Sequence, residues 1–167
     1  MKQMMTVVAL GALLAACGDD QAPKQEVEEA NTLSAGDYEI SSEVTRLTSS
    51  DKSVPATKLK LGDKATSRAC AASDGTPDAA MFVEAGDKCT VISSYVRSGR
   101  LSIQYQCDRP VKGTLYTNAD GAFTATGFEV LVNSNTSFAG TGDYQLGRHL
   151  TAKRVGACPP PAAPAKP

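Results

Sequence analysis

Five cysteines are the residues of this chain whose type and spacing point most clearly to chemistry. Cys17 follows two alanines at the end of an apolar run, residues 4–14, and that run comes after Lys2. The run is too short to span a bilayer as a permanent helix. Small residues before a cleavage point are typical of an exported precursor. We therefore expect residues 1–16 to be a signal peptide that is removed.

The position of Cys17 resembles the bacterial lipobox, in which the thiol takes a diacylglycerol and becomes the first residue of the mature chain. This implies a lipoprotein of the bacterial cell envelope, held at the lipid bilayer by acylated Cys17. Each buried methylene contributes about 0.8 kcal/mol, so two or three acyl chains anchor a protein stably. Because Gly18 precedes Asp19, no acid directly follows the cysteine, and we predict the outer membrane, facing the periplasm. The alternative is an ordinary secreted protein with an accidental cysteine at this point.

The other four cysteines are an even number, which in an oxidising compartment predicts two disulfides. They are Cys70, Cys89, Cys107 and Cys158. Their spacings lack the short Cys-x₂₋₄-Cys unit of structural zinc sites. We therefore expect neither a metal nor a cofactor.

One pairing follows from a predicted hairpin at Arg97-Ser98-Gly99, a three-residue loop that places Val96 opposite Arg100. This register puts Cys89 directly opposite Cys107 and predicts the disulfide Cys89–Cys107, worth about 3 kcal/mol. It also assigns one face of both strands to the core, with these residues: Val91, Tyr95, Leu101, Ile103 and Tyr105. By elimination Cys70 pairs with Cys158, while Cys70–Cys89 with Cys107–Cys158 stays open.

The elements that position these cysteines are mainly strands, because apolar and polar residues alternate through much of residues 36–158. The pattern predicts a mainly β fold, a single antiparallel sheet domain built as a sandwich or open barrel. A short helix is expected near Thr76-Pro77, a further strand at 58–61 and a second hairpin turn at 118–121. On either side, we expect an acidic disordered tether at 17–35 and a disordered Pro/Ala-rich tail at 159–167.

The charge of the predicted domain is close to balanced, since residues 36–158 hold 14 basic and 13 acidic side chains. A near-neutral domain argues against nucleic acid as a partner. His149 is the only histidine, and we expect it to be a half-exposed strand residue and not a base or metal ligand. The sequence indicates no catalytic residue.

The cysteine layout also resembles a proteobacterial periplasmic family known only as a domain of unknown function. Gly36-Asp37-Tyr38-Glu39 corresponds to the family's opening Gly-x-Trp-Glu, with Tyr38 in place of the tryptophan. Gly156-Ala157-Cys158 corresponds to its closing Gly-x-Cys, and the four cysteines are similarly placed. The resemblance covers residues 36–158 and implies no catalytic or binding residues.

Together these features predict a membrane-anchored module of unknown function that binds a ligand or protein partner, or serves structurally, without catalysis. One alternative is an inhibitor of a cell-wall hydrolase such as lysozyme. It would use an exposed interaction loop, for which the candidates are Arg97, Ser98, Gly99 and Arg100. The other alternative is a hydrolase whose carboxylates converge in a cleft, for example those of Asp37, Glu39 and Glu43.

Overall fold

The computed structural model describes residues 31–110 and 112–160, and their strands form one antiparallel sheet. Seven strands and one short 3-10 helix make up the fold: β1 (Gly36–Ser49), β2 (Lys64–Ala71), the 3-10 helix (Ala79–Met81), β3 (Lys88–Arg97), β4 (Arg100–Arg109), β5 (Gly113–Thr124), β6 (Gly127–Phe138) and β7 (Tyr144–Gly156). The strand order is β2-β1-β7-β6-β5-β4-β3. The predicted mainly β class is confirmed, in the form of a single open sheet. The predicted signal peptide, Cys17 and the predicted tether up to residue 30 lie outside the described residues, as do residues 161–167 of the predicted tail.

Strands β3 to β7 follow one another as neighbours, and β7 then pairs with β1, so the first and last strands lie side by side, next to the edge strand β2. The edge strands β2 and β3 are joined by residues 72–87. The predicted helix lies in this connection but begins later than expected. Its N-cap is Asp78, whose side chain accepts a hydrogen bond from Ala80 N at 2.8 Å, while Pro77 forms a bridge with Ala71.

One face of the sheet carries the apolar core, because alternate residues along most strands are buried. Phe82 covers this inner face from the 72–87 connection. Its ring centroid lies 6.2 Å from that of Tyr105 on β4 and 5.4 Å from that of Phe128 on β6. The connection is therefore the second layer of the fold. Leu33, which we expected in the tether, is only 2% exposed and belongs to the same core.

Two long side chains join strands that are not neighbours. Strands β4 and β7 have two strands between them, which corresponds to about 14 Å in a flat sheet. Arg109 on β4 and Tyr144 on β7 bridge this separation over the inner face, where Arg109 Nη1 donates to the Tyr144 hydroxyl at 2.7 Å.

The β3–β4 hairpin joins the two predicted cysteine partners, but its turn is one residue shorter than predicted. Ser98 and Gly99 both have positive φ, 50° and 69°, as in a two-residue type I′ turn, and Arg97 lies opposite Arg100. A β-bulge between Val91 and Ser93 then shifts the register by one residue, so that Cys89 still lies opposite Cys107.

This bulge also corrects the predicted core face of β3. Tyr95 pairs with Ser102 on the outer face and is 51% exposed, and Val91 is exposed at the sheet edge. The β4 partners predicted for the core are buried: Leu101, Ile103 and Tyr105.

Both predicted cysteine pairs are present. The Cα atoms of Cys89 and Cys107 are 3.9 Å apart, and those of Cys70 and Cys158 are 5.8 Å apart. The second pair fastens the end of β2 to the chain just beyond β7. The alternative pairing of Cys70 with Cys89 is therefore excluded.

The predicted hairpin at 118–121 was wrong, because these residues lie within β5 and the turn to β6 comes later, at residues 125–126. Ala119 is buried in the core, and Asn118 and Asp120 are joined by a side-chain hydrogen bond. Gly121 allows a close approach of β6: an added Cβ would overlap the carbonyl oxygen of Glu129. Residue types that are common in turns thus form part of strand β5 here.

We predict that Gly121→Ala destabilises the protein by about 1–3 kcal/mol, because the methyl group has to displace the backbone of β6. Urea unfolding measures the change in the free energy of unfolding. Gly156→Ala is the matched control, since an added Cβ at that strand glycine meets nothing within 4 Å. A change below about 0.5 kcal/mol is expected for the control. Equal effects of the two substitutions would contradict the assignment of Gly121.

Residues 50–63, where we expected a strand at 58–61, are a loop held by Asp51. One carboxylate oxygen of Asp51 accepts hydrogen bonds from Ser53 N and Oγ at 2.9 and 2.6 Å. The other accepts from the backbone N–H groups of Gly142 and Asp143 at 2.8 and 3.2 Å. These bonds, above all those from Ser53, hold the pKa of Asp51 well below its ordinary value.

A lowered pKa in the folded state means that Asp51 stabilises the fold when it is ionised. This contribution is present above the unfolded-state pKa of about 4 and is lost as the pH falls toward the folded-state value. We therefore predict that Asp51→Asn lowers the melting temperature at pH 7 and that the difference from wild type shrinks as the pH falls from 5 to 2. Melting curves across this range test it, and a pH-independent difference would refute it.

Candidate functional site

The predicted interaction loop is an exposed tip at one end of the sheet. Arg97 and Arg100 lie opposite each other on its two strands, and both are exposed. The tip is fixed to β5, since Phe123 N donates to the Gly99 carbonyl at 2.8 Å. Ser34, where the chain enters the domain, bonds to Ala125 at the same end. The loop therefore lies near the entry point of the predicted tether.

The three carboxylates considered for catalysis lie along β1 and pair with cations on β2. Asp37 and Glu39 lie 3.4 and 3.6 Å from the guanidinium of Arg68, and Glu43 lies 3.2 Å from Lys64 Nζ. Such ion pairs hold a solvated sheet face together weakly. The structure does not bring these carboxylates together in a cleft.

His149 lies on the outer face of β7, where its side chain is 37% exposed, in agreement with the half-exposed strand residue we expected. Its Nε2 is 2.9 Å from Glu129 Oε1. A shallow depression of about 380 Å³ beside it has polar walls that include Ser41, Glu43 and Thr66. His149 thus has one acidic neighbour in an open surface depression.

The most buried charged cluster of the described residues lies on the inner face, at the end of the sheet opposite the hairpin tip. Arg109 Nε and Nη2 donate to the two oxygens of Asp87, both at 2.7 Å, and Nη2 is 3.1 Å from Glu84 Oε1. The Tyr144 hydroxyl accepts from Arg109 and donates to Glu84 at 3.0 Å. We call these four residues, Glu84, Asp87, Arg109 and Tyr144, the inner ion cluster.

Burial and charge shape the acid–base behaviour of this region. The hydrogen bonds from Arg109 to Asp87 raise the pKa of the guanidinium further above its ordinary value, and burial raises the pKa of Tyr144. Arg148 lies beside the cluster, where burial lowers its pKa, and its Nη2 donates to the Phe82 carbonyl. Because Glu84 and Asp87 belong to the 72–87 connection, the inner ion cluster fastens this layer onto the sheet.

The outer face carries ion pairs on one half and a group of side-chain amides on the other. Over β2, β1 and β7 it carries ion-paired side chains, as described for Arg68 and Lys64. Over β4, β5 and β6 it carries five side-chain amides around one exposed tyrosine, with the carboxylates of Asp108, Asp120 and Glu129 further along the same strands. We call the amides and the tyrosine the amide patch: Gln104, Gln106, Tyr116, Asn118, Asn133 and Asn135.

Sequence reasoning missed both the inner ion cluster and the amide patch. The cluster joins residues that are 22 to 60 positions apart, and nothing local marks them as partners. The patch left a signal, because Gln104 and Gln106 alternate with core residues on β4, and Asn133 and Asn135 do so on β6. Amides at alternate positions of neighbouring strands lie on one face.

In residues 31–110 and 112–160, no His, Cys, Asp and Glu side chains form a group of three suited to a metal ion. Within these same ranges, no helix has the length and apolar composition needed to cross a bilayer.

Comparison with known proteins finds one family. A family model described as a protein of unknown function (DUF3617) matches residues 33–158. The match begins at buried Leu33 and ends at Cys158, so it spans the whole sheet and both cysteine pairs. The same comparison with curated proteins and with solved structures finds no match.

Proposed function

This chain belongs to the DUF3617 family of unknown function, and from that premise we propose that it is a lipid-anchored module of the bacterial cell envelope. In this role the sheet domain binds a partner and catalyses no reaction. Acylated Cys17 holds the domain at the bilayer. The outer membrane, facing the periplasm, is the compartment we propose, because Gly18 and not an acid follows the cysteine.

The pairing of the cysteines is the observation that carries this proposal. Of the five cysteines in the chain, four lie in the described residues, and each faces a partner at disulfide distance. Cys17 is the fifth, and it stands at the end of the apolar N-terminal run. Two bridges fit an oxidising compartment outside the cytoplasm. They also leave one sulfur for the lipid.

The distribution of polar groups supports a binding role. The inner face is filled by core side chains and covered by residues 72–87, which the inner ion cluster fastens in place. The carboxylates considered for hydrolysis form ion pairs on the opposite face. A partner would therefore meet the outer face or the hairpin tip.

Metabolic labelling with a palmitate analogue tests the anchor. We expect wild-type protein to be labelled and to fractionate with membranes, and Cys17→Ala to be unlabelled. Cys17→Ser is a second variant of similar size that removes only the thiol. Substitutions at the paired cysteines, such as Cys89→Ala with Cys107→Ala, should leave labelling intact. Labelling that survives Cys17→Ala would refute the proposal.

A second candidate function, inhibition of a cell-wall hydrolase such as lysozyme, is favoured by the geometry of the hairpin tip. The turn is only two residues long and presents Arg97 and Arg100 side by side in solvent. Such a tip suits the acidic cleft of a glycoside hydrolase, where carboxylates perform the reaction. Lysozyme assays with wild type and with Arg97→Ala/Arg100→Ala test it. Inhibition by wild type that the double substitution abolishes is the expected result, and no inhibition by wild type would remove this candidate.

A further inference from the structure

The amide patch is arranged around Tyr116 on the central strand of three. Tyr116 is 49% exposed and pairs with Gln106 on β4 and with Asn135 on β6. Two residues along each strand, Gln104, Asn118 and Asn133 form a second cross-strand row. Directly opposed residues have Cβ atoms about 5 Å apart, so the amides surround the phenol ring on three sides.

Much of the hydrogen-bonding capacity of this patch is not used by the fold. Among the described residues, the side-chain amides of Gln104, Gln106 and Asn135 and the Tyr116 hydroxyl make no hydrogen bond, and Gln106 accepts one from Thr90 only at its backbone carbonyl. Asn118 Oδ1 is buried and accepts no hydrogen bond from any described group. Each amide offers two donors and acceptor lone pairs on one oxygen. The patch can therefore serve a ligand that both donates and accepts many hydrogen bonds.

The charge of the patch indicates which ligand this is. None of its six side chains is charged, whereas the neighbouring half of the outer face carries Arg68, Lys64 and their acidic partners. Two carboxylates flank the patch on the same face, those of Asp108 on β4 and Asp120 on β5, and Asp120 bonds to Asn118. One cation, Arg46, bonds to Asn133 at the other side. These carboxylates would repel an anionic polymer, whereas they can accept hydrogen bonds from the hydroxyl groups of a neutral one. A neutral ligand that carries many hydroxyl groups therefore matches this surface.

We propose that the amide patch binds a neutral glycan chain, with one sugar ring lying against the ring of Tyr116. The apolar face of a sugar ring fits the face of an aromatic ring, which contributes apolar contact area with a polar handle at its edge. The hydroxyl and acetamido groups around the sugar then bond to the surrounding amides. Protein interfaces instead concentrate several aromatic residues, Met and Arg at their core, whereas this patch has a single aromatic residue. The inference rests on the proposed envelope-binding function and names its ligand class.

Co-sedimentation of the purified full chain, in mild detergent, with insoluble chitin or cellulose tests this inference. We expect wild type to bind at least one of these neutral polymers and Tyr116→Ala to bind about tenfold more weakly. Tyr95→Ala is the matched control, because Tyr95 is 51% exposed on the same face but lies on β3, outside the patch. The control should retain its affinity within about twofold.

A second variant, Gln106→Ala with Asn135→Ala, tests the hydrogen-bonding half of the inference at exposed positions. We expect it to weaken binding while leaving urea unfolding unchanged. The inference is overturned if wild type binds neither polymer, if it binds only a charged resin or a protein, or if Tyr95→Ala weakens binding as much as Tyr116→Ala. Labelling of Cys17 is independent of these results, so failure of glycan binding and failure of the lipid anchor are distinguishable.

Discussion

Replacing Arg109 with leucine is expected to lower the free energy of unfolding by about 3–5 kcal/mol. Asp87 is the reason, because its side chain is only 2% exposed and both of its oxygens accept hydrogen bonds from Arg109. Removing the guanidinium leaves that carboxylate buried without its cation. It also removes the ion pairs that help to fasten residues 72–87 to the sheet. Urea unfolding of wild type and variant measures the loss.

Two controls distinguish the loss of stability due to the inner ion cluster from the loss that removing any arginine would cause. Arg68→Leu breaks an exposed pair with Asp37 and Glu39 and should cost less than about 1 kcal/mol. The double substitution Arg109→Leu/Asp87→Leu removes both buried charges, and we expect it to be more stable than Arg109→Leu alone. If Arg109→Leu costs no more than Arg68→Leu, the cluster does not hold the connection in place.

Removing the Cys70–Cys158 bridge is expected to cost about 4–5 kcal/mol, more than removing Cys89–Cys107 at about 3 kcal/mol. The ranking follows from the separations along the chain, 88 residues for the first pair and 18 for the second. Closing a longer loop removes more conformational freedom from the unfolded chain. Alanine substitutions at both members of each pair, followed by urea unfolding, measure the two losses.

The unpaired single variants are avoided in this comparison, because a lone thiol can exchange with the remaining bridge. Cys107 is fully buried, so alanine is chosen over serine to avoid placing a hydroxyl in the core. The reverse ranking, with the shorter loop contributing more, would show that native contacts and not loop length decide the effect.

The fold class was predictable because apolar and polar residues alternate along most strands, which have one buried face and one solvated face. The cysteine pairing was also predictable, but through a register that was wrong at the tip. The shorter, two-residue turn shifts the register by one residue and the bulge after Val91 shifts it back. Cys89 therefore lies opposite Cys107 although the predicted turn was wrong. A bulge adds a residue without any residue type that marks it. Sequence patterns cannot locate such a compensation.

The hairpin turn predicted at residues 118–121 was wrong because the same residue types occur both in turns and within strands. Asn118, Asp120 and Gly121 are common in turns, yet here they form an outward polar pair and a close strand contact within β5. The inner ion cluster was unpredictable for a different reason, since its members come from β4, β7 and the 72–87 connection and meet only in the folded sheet. The amide patch could have been predicted from the sequence if the registers of the strands had been known. Once β4, β5 and β6 are aligned, its amides lie on one face.

The mass of the N-terminal peptide of the mature protein, purified from membranes, tests the lipid anchor most directly. We expect this peptide to begin at Cys17 and to carry a diacylglyceryl group on the sulfur. The four other cysteines should be recovered as the pairs Cys70–Cys158 and Cys89–Cys107. A mature chain that begins elsewhere, or a free Cys17 thiol on membrane-purified protein, would contradict it.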